Sequence, residues 1–142
     1  NGYKWDKVKL ANGVTGYIAS KYLTFKAAGT KLEYKYEEEE NIIIMTLGIT
    51  IDKISGAVGE IKTGAKMTIN GKTYTAVVLG DTNGDGAINS ADLLSIRKHL
   101  LTKAPLNNEY KKSADVNNDK KVDSADLLAV RKQLLGKADI SL

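Results

Sequence analysis

Hydrophobic and polar positions divide the chain into three stretches with different periods. In residues 1–26, Lys7-Val8-Lys9-Leu10 alternates polar and apolar side chains, Ala11-Asn12-Gly13 offers a turn, and Val14-Thr15-Gly16-Tyr17-Ile18 resumes the alternation. A period of two puts successive side chains on opposite faces of a strand, so this stretch predicts a β-hairpin. A further turn is expected at Ser20-Lys21-Tyr22-Leu23. A lone hairpin is marginal in water and needs something to pack on.

Residues 27–79 read as a small α+β unit. Leu32-Glu33-Tyr34-Lys35-Tyr36 alternates as a half-buried strand does, and Glu37 to Glu40 reads as a solvated turn rather than a metal site. The unbroken apolar run Ile42-Ile43-Ile44-Met45 predicts a buried strand. Thr50 is placed to cap a short helix with Ile51, Ile54 and Val58 on one face. Met67 and Ile69, then Asn70-Gly71, then Tyr74, Ala76 and Val78 give the strongest hairpin signal in the chain.

From residue 80 onward the chain repeats itself. At an offset of 34, Asp81, Asn83, Asp85, Ser90, Ala91, Asp92, Leu93 and Leu94 fall on Asp115, Asn117, Asp119, Ser124, Ala125, Asp126, Leu127 and Leu128. Arg97, Lys98, Leu100, Leu101, Lys103 and Ala104 fall on Arg131, Lys132, Leu134, Leu135, Lys137 and Ala138. Such a match at one offset marks a duplicated unit. Each copy predicts one amphipathic helix, over about 90–101 and 124–135, with a polar connector around Pro105 between them.

The segment before each helix carries the chemistry. Counting from Asp81, oxygen-bearing side chains stand at positions 1, 3, 5, 9 and 12: Asp81, Asn83, Asp85, Asn89 and Asp92, with the main-chain carbonyl of Ala87 at position 7. The second copy offers Asp115, Asn117, Asp119, Asp123 and Asp126, with the carbonyl of Lys121. Calcium is a hard cation that takes six to eight oxygens, and a twelve-residue loop with this spacing wraps around it. Two Ca²⁺ are therefore expected.

The plainer alternative is that Asp, Asn and Gly clusters are turns, and that Asn89, Ser90 and Asp92 are helix caps. Two copies in register, each followed by the same helix, weigh against it. Gly86 at position 6 suits a left-handed turn, whereas Lys120 at the same position of the second loop would cost about 1–2 kcal/mol there. Position 12 is Asp in both loops where the usual EF-hand has Glu, which calls for a different entry of the helix. Ile88 and Val122, at position 8 of each loop, are placed to join the loops back to back.

Composition narrows the function. The 142 residues carry no cysteine, which leaves out disulfides and thiolate metal sites, and a bound ion is one of the few other staples for small modules. No run approaches the roughly 18 apolar residues of a membrane span. The net charge is +4, although seven carboxylates crowd into the two loops, and two Ca²⁺ would raise the sum to about +8. No basic stripe with interleaved aromatics points to nucleic acid. The one histidine, His99, reads as a surface position because its counterpart is Gln133. No nucleophile–base pair can be argued, so no catalytic role is expected.

Two loops with Asp at position 12, each followed by a helix and with a β-like segment at Thr73 to Leu79 in place of an entering helix before the first, are so-called F-hand motifs. Over residues 80 to about 138 they resemble the type I dockerin family. That resemblance implies a three-helix fold ordered by two Ca²⁺ and docking onto a cohesin module of a scaffold or of another secreted enzyme. It implies partner contacts at Ser90, Ala91, Arg97 and Lys98, and at Ser124, Ala125, Arg131 and Lys132. Thr102 and Gly136 occupy a fifth such position and differ between the copies. The matched pairs suggest two docking orientations related by about half a turn.

With Lys62-Thr63-Gly64, and with Tyr74-Thr75-Ala76-Val77-Val78 leading into Gly80-Asp81, residues 27–79 resemble the small X-module that often precedes clostridial dockerins, and the lack of a linker at Leu79-Gly80 suggests that it packs on the next part. Residues 1–26 resemble the C-terminal half of a bacterial Src-homology-3-type domain, a type that targets wall hydrolases to peptidoglycan. The chain, starting abruptly at Asn1, reads as the C-terminal piece of a longer one. The expected fold class is a multi-module α+β chain, with a small β-rich N-terminal part (1–26 and 27–79) and an all-α dockerin over 80–142 carrying two F-hand calcium loops. The expected function is calcium-dependent, non-catalytic attachment of a secreted hydrolase to a cohesin, outside the cell or at its surface. The alternative is a calcium-stabilised spacer or wall-targeting segment of a peptidoglycan hydrolase, with glycan contacts in the N-terminal part. A calcium sensor is disfavoured by the missing entering helices and the lack of a Met-rich groove.

Overall fold

The computed structural model describes residues 5–9, 15–19 and 34–142. The chain divides into two compact units, Asn1–Leu32 and Glu33–Leu142. In the first, β1 (Trp5–Lys9) and β2 (Thr15–Ala19) pair antiparallel, with Trp5 opposite Ala19 and Lys9 opposite Thr15. This is the hairpin that the alternation predicts. The turns expected at 11–13 and 20–23, and the start of the next strand at Leu32, lie outside the described residues.

The second unit is built on a mixed sheet. Its strands are β3 (Tyr34–Glu37), β4 (Ile42–Met45), β5 (Ala57–Gly59), β6 (Lys66–Ile69) and β7 (Lys72–Val78), in the spatial order β3-β4-β7-β6-β5. The pair β4–β7 is parallel and the other three are antiparallel. Asn70 and Gly71 join β6 to β7 with φ of 50° and 81°. Positive φ at both central residues matches the right-handed twist of the strands, which is why Asn-Gly marks this turn so reliably.

Strand β4 shows why the sheet sits where it does. All four of its residues are buried, so no polar alternation is possible. Ile42 and Ile44 face one cluster, with Val77 and Leu79, while Ile43 and Met45 face another, with Ile54, Met67, Tyr74, Ala76 and Val78. A strand covered on both sides must be apolar throughout.

What covers the first face corrects the expected fold class. Helices α1 (Ser90–Leu100), α2 (Asn108–Ala114) and α3 (Ser124–Leu134) follow the sheet. Ile96, Ala114 and Val130 from these helices, with Val116 and Ile140, share one core with Ile42, Ile44, Val77 and Leu79 of the sheet. The C-terminal part is therefore not a separate all-α module: its helices form the second layer of an α+β unit. The physical reason is area. Ile96, Ala114 and Val130 are the only apolar residues of the three helices that are fully buried, and they reach that burial in a core shared with the sheet face.

Polar contacts cross the same boundary. The Gly80 amide donates to the Ser113 carbonyl of α2 at 2.8 Å. Lys112 reaches back to Glu37 at 2.7 Å and Glu40 at 3.4 Å. Glu38 pairs with Lys72 and accepts from the Tyr74 hydroxyl at 2.8 Å. Glu38 to Glu40 lie in a turn, as expected, whereas Glu37 ends β3; Glu37, Glu38 and Glu40 are engaged with the sheet or with α2. The helix expected after Thr50 is a single 3₁₀ turn, Ile51–Lys53. Ile54 is buried, whereas Val58 lies on edge strand β5 and is 72% exposed, so the two do not share a helical face.

Ile44→Ala would open a cavity between the two layers and should cost about 2–5 kcal/mol. Urea unfolding followed by helical circular dichroism and by amide exchange in β4 and β7 should give one shared, lowered midpoint. Helices that keep their own midpoint while the sheet unfolds earlier would contradict the common core.

Candidate functional site

Strand β7 delivers the chain through Gly80 into the first loop, Asp81 to Asp92, and α2 delivers it into the second, Asp115 to Asp126. Each loop is closed in the same way. The Asp92 Oδ1 accepts from the amides of Thr82 at 2.8 Å and Asn83 at 3.2 Å, and its Oδ2 accepts from Asn89 at 2.9 Å. The Asp126 carboxylate does the same for Val116 at 3.0 Å, Asn117 at 3.3 Å and Asp123 at 2.9 Å. One carboxylate therefore stitches the start of the loop to its end.

The same residue opens the helix. Asn89 and Asp123 are N-caps, accepting from Ala91 and Ala125 at 2.7 Å, and Asp92 and Asp126 complete the capping box from the third helical position. This answers the question raised by a short Asp at position 12. The helix begins inside the loop, so its first turn carries the carboxylate to the loop centre.

Position 1 anchors the other side. The Asp81 carboxylate accepts from Gly84 at 2.8 Å, Asp85 at 3.1 Å and Gly86 at 3.2 Å. Asp115 accepts from Asp119 at 3.0 Å and Lys120 at 2.8 Å. Position 6 is left-handed in both loops, with φ of 85° at Gly86 and 71° at Lys120. The second loop thus keeps the turn despite its lysine, with the strain the sequence suggests.

The donor chemistry suits a hard divalent cation. Asp81, Asp92 and Asp126 are fully buried. Burial raises the Asp92 carboxyl above its ordinary value, opposed by its amide hydrogen bonds, and the charge of Asp81 pushes the same way. Burial does the same to Asp126, with Asp115 adding to it. Asp85, by contrast, is lowered by the Ala87 amide and by Asn83. At positions 3, 5 and 9 of the first loop the side chains converge: the amide groups of Asn83 and Asn89 both donate to Asp85 Oδ2, at 2.8 and 3.2 Å. In the second loop Asn117 donates to Asp119 Oδ2 at 3.0 Å. Rotating an amide by half a turn presents its oxygen in place of its nitrogen.

Among the described residues, no group of three or more Asp, Glu, His or Cys side chains is gathered closely enough to hold an ion by itself. An ion here would need the amide and main-chain oxygens as well, which is how calcium loops are built. The residues present fit Ca²⁺, which would supply positive charge at a point where buried carboxylates otherwise repel.

The eight residues assigned to a partner surface are all exposed: Ser90, Ala91, Arg97 and Lys98, and Ser124, Ala125, Arg131 and Lys132. The structure adds apolar side chains at matched positions. Leu94 and Leu128 are each 49% exposed, and Leu101 and Leu135 are 61% and 58% exposed. These leucines belong to the repeat, but their exposure could not be told from a core-facing stripe. The Ala125, Leu128 and Lys132 side of α3 also borders a groove whose other wall is Ala138 to Ser141.

His99 is half-buried rather than a surface residue. Its Nδ1 accepts from the Leu106 amide at 3.0 Å, and Gln133 Oε1 accepts from the Ile140 amide at 2.7 Å. Leu106 and Ile140 both pack on the shared core, so the repeat runs on past both helices. Ile88 and Val122 pack against that core too.

Residues 79–135 match the family model of the Dockerin type I domain. The match takes in both loops and all three helices.

Replacing Lys120 by Gly should relieve the left-handed strain of the second loop. We expect about 0.5–1 kcal/mol of added stability in the metal-free protein. Chemical denaturation in chelator measures it, and a loss of stability would show that the lysine side chain contributes more than its backbone costs.

Proposed function

We propose that the dockerin-type region is a calcium-ordered, non-catalytic docking module that attaches the protein carrying it to a cohesin. The observation that carries this reading is the duplicated loop-and-helix unit, in which matched carboxylates set the start of matched helices and those helices display matched exposed residues. The match to the Dockerin type I domain supports it. The two Ca²⁺ are assigned to Asp81, Asn83, Asp85, Ala87, Asn89 and Asp92, and to Asp115, Asn117, Asp119, Lys121, Asp123 and Asp126. Ca²⁺ would supply the charge that lets each set of oxygens stand together. The chain's own residues do the rest, since each position-12 carboxylate fixes where its helix begins and so aims the exposed face.

Docking would use Ser90, Ala91, Arg97 and Lys98 on one helix, or Ser124, Ala125, Arg131 and Lys132 on the other. Leu94 with Leu101, and Leu128 with Leu135, would give each face the apolar centre that a tight interface needs. Because the two faces match, a cohesin could engage the module in either of two orientations related by a half turn. The carrier is read as a secreted hydrolase, outside the cell or at its surface, with residues 27–79 as an X-module-like support. The N-terminal hairpin is read as part of a Src-homology-3-type domain, where contact with cell-wall glycan would fall.

A cohesin panel titrated against the full chain in calcium and in chelator tests this reading. We expect at least one tight partner in calcium and a loss of about a hundredfold or more in affinity in chelator. Calcium uptake with no cohesin partner would support the spacer reading instead. For the two orientations, acidic bulky replacements at Ser90-Ala91 and at Ser124-Ala125 should each leave binding nearly intact, and together abolish it. Loss from either pair alone would contradict dual docking.

A further inference from the structure

The two loops share most of their hydrogen bonds, and one difference lies at position 1. Asp81 is fully buried while Asp115 is half-buried. Part of the cover over Asp81 comes from the turn that joins β5 to β6. Thr63, in the segment between β5 and β6, donates its main-chain amide to Asp81 Oδ2 at 2.9 Å. Among the described hydrogen bonds, Asp115 has no such partner from outside its loop.

Thr63 is itself held rigidly. It is 2% exposed, and its hydroxyl accepts from the Val78 amide at 3.0 Å and donates to the Val78 carbonyl at 3.3 Å. Strand β7, the Thr63 segment and the first loop are thereby linked by three buried hydrogen bonds. Packing shows the same closeness. A Cβ at Gly84 would lie 2.7 Å from the Thr63 carbonyl oxygen and 3.1 Å from the Tyr110 ring. The corresponding residue of the second loop is Asn118, with φ of 60°. Positive φ alone therefore does not require glycine at this position; the approach of Thr63 does.

We propose that the Thr63 segment is a preformed support for the first calcium loop, holding Asp81 in its loop orientation from behind. Building on the calcium reading above, the first loop takes Ca²⁺ more tightly than the second and fills first. An outer hydrogen bond to a ligating carboxylate fixes its direction before the ion arrives, so less ordering remains to be done on binding. Coupling of this kind is reciprocal, so calcium in the first loop stabilises the packing of the Thr63 segment by the same factor. Thr63 is a positioning residue: it acts on the ion through Asp81.

The test is a calcium titration of the full chain, read by calorimetry and, residue by residue, by the amide signals of Gly86 and Lys120. Gly86 should respond first, at about tenfold lower calcium than Lys120. Thr63→Val keeps the side-chain shape and removes the hydroxyl that anchors the segment. It should weaken the first site by about tenfold and leave the second unchanged, while Thr63→Ser restores near-native affinity. A purely structural role would move both sites together or neither, which would overturn the proposal. Should Thr63→Val not fold, amide exchange at Thr63 in the unaltered protein decides the matter. That exchange should slow at least tenfold when calcium fills the first loop, and indifference to calcium would refute the support. If neither loop responds to calcium, it is the calcium reading itself that fails.

Discussion

Asp92 and Asp126 are carboxylates held out of water at the start of a helix, each bonded to three main-chain amides. A charged group in that setting is costly unless its surroundings compensate, and the amides do so only in part, since burial still pushes both carboxyls upward. Much of the local architecture answers this constraint. The capping boxes bring amide dipoles to Asp92 and Asp126, while the left-handed turns at position 6 aim theirs at Asp81 and Asp115 across the loop. Positive charge from Ca²⁺ would complete what the dipoles begin. Helix direction, and with it the aim of the exposed face, depends on those two residues.

The sheet adds a second level. Its strands β4 and β7 offer an apolar face to α1, α2 and α3, and Lys112, Gly80 and Thr63 tie that contact with polar bonds. A duplicated unit is thus set in surroundings that are not duplicated. The first loop meets the turn between β5 and β6 at Thr63 and the Tyr110 ring of α2, whereas among the described hydrogen bonds the Asp115 carboxylate of the second is held from within its own loop. The outward faces of α1 and α3 remain alike, while the inner supports of their loops differ. Matched outer faces and unmatched inner supports therefore coexist in one unit.

Much of this was legible in the residues. The apolar run Ile42 to Met45 announced a strand covered on both sides, Asn70-Gly71 a tight hairpin, and the offset of 34 two like loops and helices. The layering was not legible. Val77 and Leu79 look the same whether they meet a neighbouring sheet or helices that begin only at Ser90. Helix α2 hid in its own composition: Asn108–Ala114 is short and polar, and only Ser113 and Ala114 are buried. Thr63 gave no warning because a main-chain donor has no side-chain signature. Gly84 opposite Asn118 did carry a signal, since a glycine needed only for its turn would not be replaced in the other copy. The pair Leu106 and Ile140 also lay at the repeat offset, in plain view.

The most direct test of the central claim is crystallographic: anomalous scattering from crystals grown with Ca²⁺, and again with a lanthanide in its place. Two peaks should appear, one within contact of Asp81, Asp85 and Asp92 and one within contact of Asp115, Asp119 and Asp126. Peaks elsewhere, or loops that keep all their present hydrogen bonds with no ion between them, would contradict the account.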